Sequence, residues 1–196
     1  NGDDTSTVTV SGKTATAEKD ATADNGGVVN ITGSNDAGGK GEVKGTASAD
    51  GANSQVNVSG ETAKANATSA KNGGAVSVGG DNTKNASVTG AATATGENSN
   101  VTVKGTESAT AGSASAADKG KVTVGGDTTT TASITGTAQA TNGGDINVKA
   151  SNTEGTASVT DNISASGKNG DDTSTVTVSG KTATAEKDAT ADNGGV

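Results

Sequence analysis

A short pattern, apolar-x-apolar-x-Gly, recurs at intervals of 20 to 30 residues along the chain. It appears as Val8, Val10, Gly12; Val29, Ile31, Gly33; Val56, Val58, Gly60; Val76, Val78, Gly80; Val101, Val103, Gly105; and Val122, Val124, Gly126. Ile146, Val148 and Ala150 form a seventh copy with Ala in place of Gly, and Val176, Val178, Gly180 restart the series. Apolar residues at every second position mark a half-buried strand. One such strand every 20 to 50 residues marks a solenoid, in which each coil covers the apolar face of its neighbour.

A thin interior is also what the composition requires. The 196 residues include no Phe, Trp, Tyr, Met, Cys, His, Pro, Leu or Arg, and the only large apolar side chains are 23 Val and Ile. Such a chain cannot fill an ordinary globular core. Without periodicity it would read as disordered, because it could not offset its chain entropy.

Each coil carries a second alternating run. Examples are Val43, Gly45, Ala47, Ala49; Val88, Gly90, Ala92, Ala94; Ile134, Gly136, Ala138, Ala140; and Val159, Asp161, Ile163, Ala165. The first coil has a thinner version in Ala15, Ala17, Ala21, Ala23. No helical i, i+3, i+4 stripe is present, and Ala alternates with strand-favouring Thr. Asn25 to Gly27, Asp50-Gly51, Asn72 to Gly74 and Asn142 to Gly144 supply Asn/Asp-Gly corners, since these residues tolerate positive φ. Each coil therefore reads as strand, corner, strand, corner. Four coils insert polar residues after the first strand, at Ser34 to Gly39, Asp81 to Asn85, Asp127 to Thr131 and Ser151 to Gly155. Long and short coils mostly alternate, which predicts bumps along one edge of a rod.

The segment NGDDTSTVTVSGKTATAEKDATADNGGV stands at 1–28 and again, unchanged, at 169–196. Residues 1–168 are thus one tandem unit of about seven coils, and 169–196 begin the next. The expected fold is an all-β solenoid.

The chemistry expected of such a chain is sparse. Net charge is −8 and all 14 cations are Lys, which argues against nucleic acid and anionic membrane surfaces as partners. No apolar run is long enough to span a bilayer, so no membrane insertion is expected. Carboxylates come close in sequence at Asp3-Asp4 and Glu18/Asp20, and Asp145 with Asp127 is a third candidate pair, but no His, Arg, Tyr or Cys exists to tune them. They read as solvated turn residues, with no catalytic, cofactor-binding or metal site and no enzyme activity. Asp/Asn-rich turns do offer hard oxygen ligands for calcium. The segments GGDN at Gly79 and GGDT at Gly125 nevertheless lack the third Gly and downstream Asp of the calcium-binding nonapeptide, and read as structural turns without a cofactor.

The V-x-V-x-G strands, NGG corners, Ala/Thr alternation and long tandem repeat resemble the shafts of giant bacterial surface adhesins. The resemblance is to the filamentous-haemagglutinin-like exoproteins of two-partner secretion, including the CdrA-type biofilm adhesins, and covers all 196 residues. It implies a right-handed parallel β-helix, secreted to the cell surface, acting as a spacer in cell–cell or cell–matrix adhesion, with exopolysaccharide or neighbouring filaments as partners. Two other readings stand beside it: a polysaccharide-binding repeat surface, and a self-assembling sheath or surface-layer filament. The lack of aromatics argues against strong sugar stacking, and a sheath would need a self-complementary flank.

Overall fold

The structure, a computed structural model, describes residues 6–196. Among these the chain forms strands and turns and no helix, wound into a β-solenoid of eight coils. The first sheet holds one five-residue strand from each coil, in order along the rod: Thr7–Ser11, Val28–Thr32, Gln55–Ser59, Ala75–Gly79, Asn100–Lys104, Lys121–Gly125, Asp145–Lys149 and Thr175–Ser179. All neighbours are parallel and in register. Val8, Val29, Val56, Val76, Val101, Val122, Ile146 and Val176 form one ladder. Val10, Ile31, Val58, Val78, Val103, Val124, Val148 and Val178 form the second, so every copy of the sequence pattern lies where its periodicity placed it.

The second sheet departs from a simple strand in each coil. Its strand is continuous in four coils, at Lys40–Asp50, Thr62–Lys71, Asn85–Thr95 and Ser108–Ala117, with a register shift at mid-length in the pairings among them. In the other coils it is split, as at Thr14–Ala17 and Ala21–Asp24, or Thr156–Val159 and Ile163–Ser166. The interruption falls at Gly45, Gly90, Gly112 and Gly136 in four coils, and at Asn66 and Ala67 in Thr62–Lys71. A Cβ at Gly45 would collide with the backbone of Lys19 and the Asp20 carboxylate in the coil below, so a glycine is needed there. In the run Val159, Asp161, Ile163, Ala165, Asp161 likewise sits at the break, while Val159 and Ile163 are buried on either side.

Both halves of this sheet send alternate residues inward. Ala21, Ala47, Thr68, Ala92, Ala114, Ala138, Ile163 and Ala189 form one ladder, and alanines from Ala23 to Ala191 form another beside it. Small alanines opposite Val and Ile make one continuous hydrophobic core, thin enough for these side chains to fill. A third ladder alternates in size: Ala17, Val43, Ala65, Val88, Ala111, Ile134, Val159, Ala185. Its Ala members belong to the coils with short loops, and its Val and Ile members to the four coils with polar insertions. Loop length outside and side-chain size inside therefore vary together.

Candidate functional site

The surface is organised by the corners between coils. Asn25, Asn72 and Asn142 take φ of 50°, 49° and 50°, each followed by a glycine at positive φ, so the NGG corners turn in the left-handed region that Asn and Gly tolerate. Between them lie longer corners, Gly51 to Ser54, Gly96 to Ser99 and Gly167 to Ser174. Each ends in a serine that is almost completely buried. Ser54 Oγ accepts the N–H of Gly26 at 2.9 Å and donates to the carbonyl of Asp50 at 2.7 Å. Ser99 does the same with Gly73 at 3.0 Å and Thr95 at 2.7 Å. Ser174 does the same with Gly143 at 2.9 Å and Ser166 at 2.8 Å. The long corner of one coil thus caps the NGG corner beneath it.

On the edge carrying the polar insertions, Thr129 is buried and donates Oγ1–H to the Gly105 carbonyl at 2.7 Å, and Thr83 is buried at the equivalent turn. The repeated strings G-x-N-S (Gly51 to Ser54, Gly96 to Ser99) and G-G-D-x-T (Gly79 to Thr83, Gly125 to Thr129) are the sequence signal for these inward hydroxyls. Reading by apolar periodicity alone passes over them.

The carboxylates considered from sequence are placed as follows. Asp3 and Asp4 lie outside the described residues. Glu18 pairs with Lys44 at 2.7 Å, and Asp20 accepts the N–H of Thr46 at 2.7 Å. Asp127 pairs with Lys149 at 2.7 Å, whereas Asp145 accepts the hydroxyl of Thr175. Asp145 begins a first-sheet strand and Asp127 follows the end of its neighbour, so the two stand at opposite ends of the sheet and form no pair. At the two GGD turns, Gly79 and Gly125 have φ of 88°, and a Cβ on either would strike the carbonyl oxygen of Lys104 or Lys149 in the next coil. Asp81 there meets Lys104 at 2.5 Å. Hydrogen bonds from these lysines hold the Asp81 and Asp127 carboxyls below the usual aspartate value, with their positive charge adding to the effect. Among the described residues, no three carboxylates are grouped to hold a metal ion.

A notch of about 720 Å³ opens in the surface of the described residues. Glu97 and Asn98 of one long corner wall it on one side, and Asp171 to Thr173 of another on the far side. Its floor is two successive short corners, carrying Lys119 and Gly143, with Lys121 and Asp145 beside them. Elsewhere a single short corner separates long ones. Lys119 crosses this wider gap to Asp172 at 2.9 Å, and that hydrogen bond, with the aspartate's charge, raises its pKa above the usual lysine value. The notch combines lysine and carboxylate groups and contains no His, Cys or aromatic side chain.

No family model matches the chain, and no curated protein and no solved structure is similar to it. The fold itself defines the class: a parallel β-solenoid built from a tandem sequence repeat.

Proposed function

We propose that this chain is a length of structural shaft: a rigid, non-catalytic spacer in a secreted, tandem-repeat bacterial surface adhesin, of the filamentous-haemagglutinin-like kind that the sequence resembles. One observation carries the reading. The duplicated segment at 169–196 continues the stack in register, Ile146 on Val176 and Val148 on Val178, so a second unit prolongs the rod without a seam. Val8 is 58% exposed on the first coil, while its twin Val176 packs against the core over the seventh coil.

Rod length then scales with the number of units. Exopolysaccharide or neighbouring filaments are the partners this reading assigns, with no cofactor. The test is a series of chains with one, two and three units joined at the duplicated segment and displayed on cells. Electron microscopy should show an increment of about 34 Å per unit, seven coils at the strand spacing. Adhesion should follow length and ignore substitutions at outward residues such as Asn57 or Lys104. A single outward substitution that abolished adhesion while the rod stayed folded and full length would replace the shaft with a binding surface.

A further inference from the structure

The NGG corners place the most chemically labile dipeptide, Asn-Gly, at the edge of the rod. In such a pair the glycine nitrogen attacks the asparagine Cγ. The N–Cγ bond forms, the Cγ–Nδ2 bond breaks, and ammonia leaves with the proton from the glycine nitrogen. Water then opens the cyclic imide to aspartate or isoaspartate. Asparagine is thermolabile for this reason, and a following glycine offers no side chain to hinder the attack. Isoaspartate adds a methylene to the main chain, which a tight corner cannot absorb.

The structure divides these dipeptides into two groups. At Gly26, Gly73 and Gly143, the nitrogen that would attack donates its proton to the buried hydroxyl of Ser54, Ser99 or Ser174. Attack requires losing that proton and rotating the glycine nitrogen away from the serine, so the hydrogen bond holds the nitrogen unreactive. Among the described residues neither Gly170 nor Gly194 donates to a serine, and both are exposed. In the 196-residue polypeptide Asn193 serves as an uncapped control, because its left-handed φ of 48° and flanking sequence match those of Asn25 at 50°.

We propose that Ser54, Ser99 and Ser174 protect Asn25, Asn72 and Asn142, and that spontaneous conversion to isoaspartate within the stack is concentrated at Asn169. Each serine is a positioning residue that keeps the corner beneath it from ageing. In a continued array the next long corner would bring the equivalent of Ser54 over Asn193.

Cleavage after glutamate puts all five asparagines on separate peptides of distinct sequence, so one digest reads every site. The 196-residue chain is incubated at mildly alkaline pH and 37 °C, and aspartate and isoaspartate are quantified by mass spectrometry. Asn169 and Asn193 should convert at least about tenfold faster than the other three, the effect of one hydrogen bond to a buried partner. Ser99→Ala should accelerate Asn72 and leave Asn25 and Asn142 slow, and Ser54→Ala should accelerate Asn25 alone. Equal rates at Asn25 and Asn193 in the unaltered chain would overturn the proposal, as would a Ser99→Ala chain in which Asn72 stays slow. A variant that speeds all three protected sites together would show general loosening in place of local protection, and would overturn it as well.

Discussion

At the scale of single residues, the fold is a question of which side chains point inward. Val103 is completely buried, and Thr102 beside it is only partly covered on the outer face. Val103→Asp would bury a carboxylate without a partner, at several kcal/mol, more than one thin coil can absorb. It should open the rod to limited proteolysis, whereas Thr102→Asp should leave the digestion pattern unchanged. These positions were legible because V-x-V-x-G states inside and outside directly. Thr68 was not. Continuing the alternation of Ala63 and Ala65 would turn Ala67 inward, but the register shift after Ala65 changes the parity and Thr68 takes the buried place. Its hydroxyl has no hydrogen-bond partner there, between Ala47 and Ala92. Thr68→Val keeps the shape and removes the unsatisfied group, so it should raise stability by about 1 kcal/mol, read as a higher melting temperature.

At the scale of strands and corners, charge has a direction along the rod, shared among the described residues by every ion pair between coils except Lys119 with Asp172. Glu18, Glu61, Asp81, Asp127 and Asp161 each pair with a lysine of the following coil, respectively Lys44, Lys84, Lys104, Lys149 and Lys187. Glu61, Asp81, Asp127 and Asp161 are held below their ordinary values chiefly by hydrogen bonds from those lysines. A carboxylate with a depressed folded pKa adds stability above its unfolded value and loses it as pH falls through the folded one. Stability should therefore be level above about pH 5 and decline as pH drops below the ordinary values of 4.5 for Glu61 and 3.8 for the aspartates. The decline should be modest, because exposed pairs contribute little, and high salt should flatten it. Chemical denaturation followed across that pH range checks both. The NGG corners were legible because their φ requirement is written in residue type. The serine caps were legible only in part: Ser54 and Ser99 share the string G-x-N-S, Ser174 lies outside it, and apolar periodicity says nothing of any of them.

At the scale of the whole rod, coils come in two kinds and the kinds alternate. Short coils carry tight loops and Ala in the size-alternating ladder, and long coils carry insertions and Val or Ile. A repeat of seven coils is odd, so alternation must fail once per unit. It fails where Ile134 stacks on Val159, two long coils in succession, and the notch spanned by Lys119 and Asp172 lies on the same part of the rod. This makes the stack sensitive to parity more than to length. Removing Ala52 to Gly96, two coils, joins Gly51 to Glu97 and recreates the G-x-N-S corner, now with Ser99 above Gly26 in the place of Ser54. Removing only Gln55 to Gly74, one coil, sets one long corner on another, takes from Ser99 the Gly73 N–H it accepts, and stacks the insertion at Asp81 on that at Ser34. If stability is a sum of neighbour contacts, the 45-residue deletion should melt within a few degrees of the intact chain, and the 20-residue deletion distinctly lower. Scattering should show the first as a rod shorter by about 10 Å, two strand spacings. Should the smaller deletion prove the more stable, coil pairing would carry no weight, and each coil would be an independent unit of the stack.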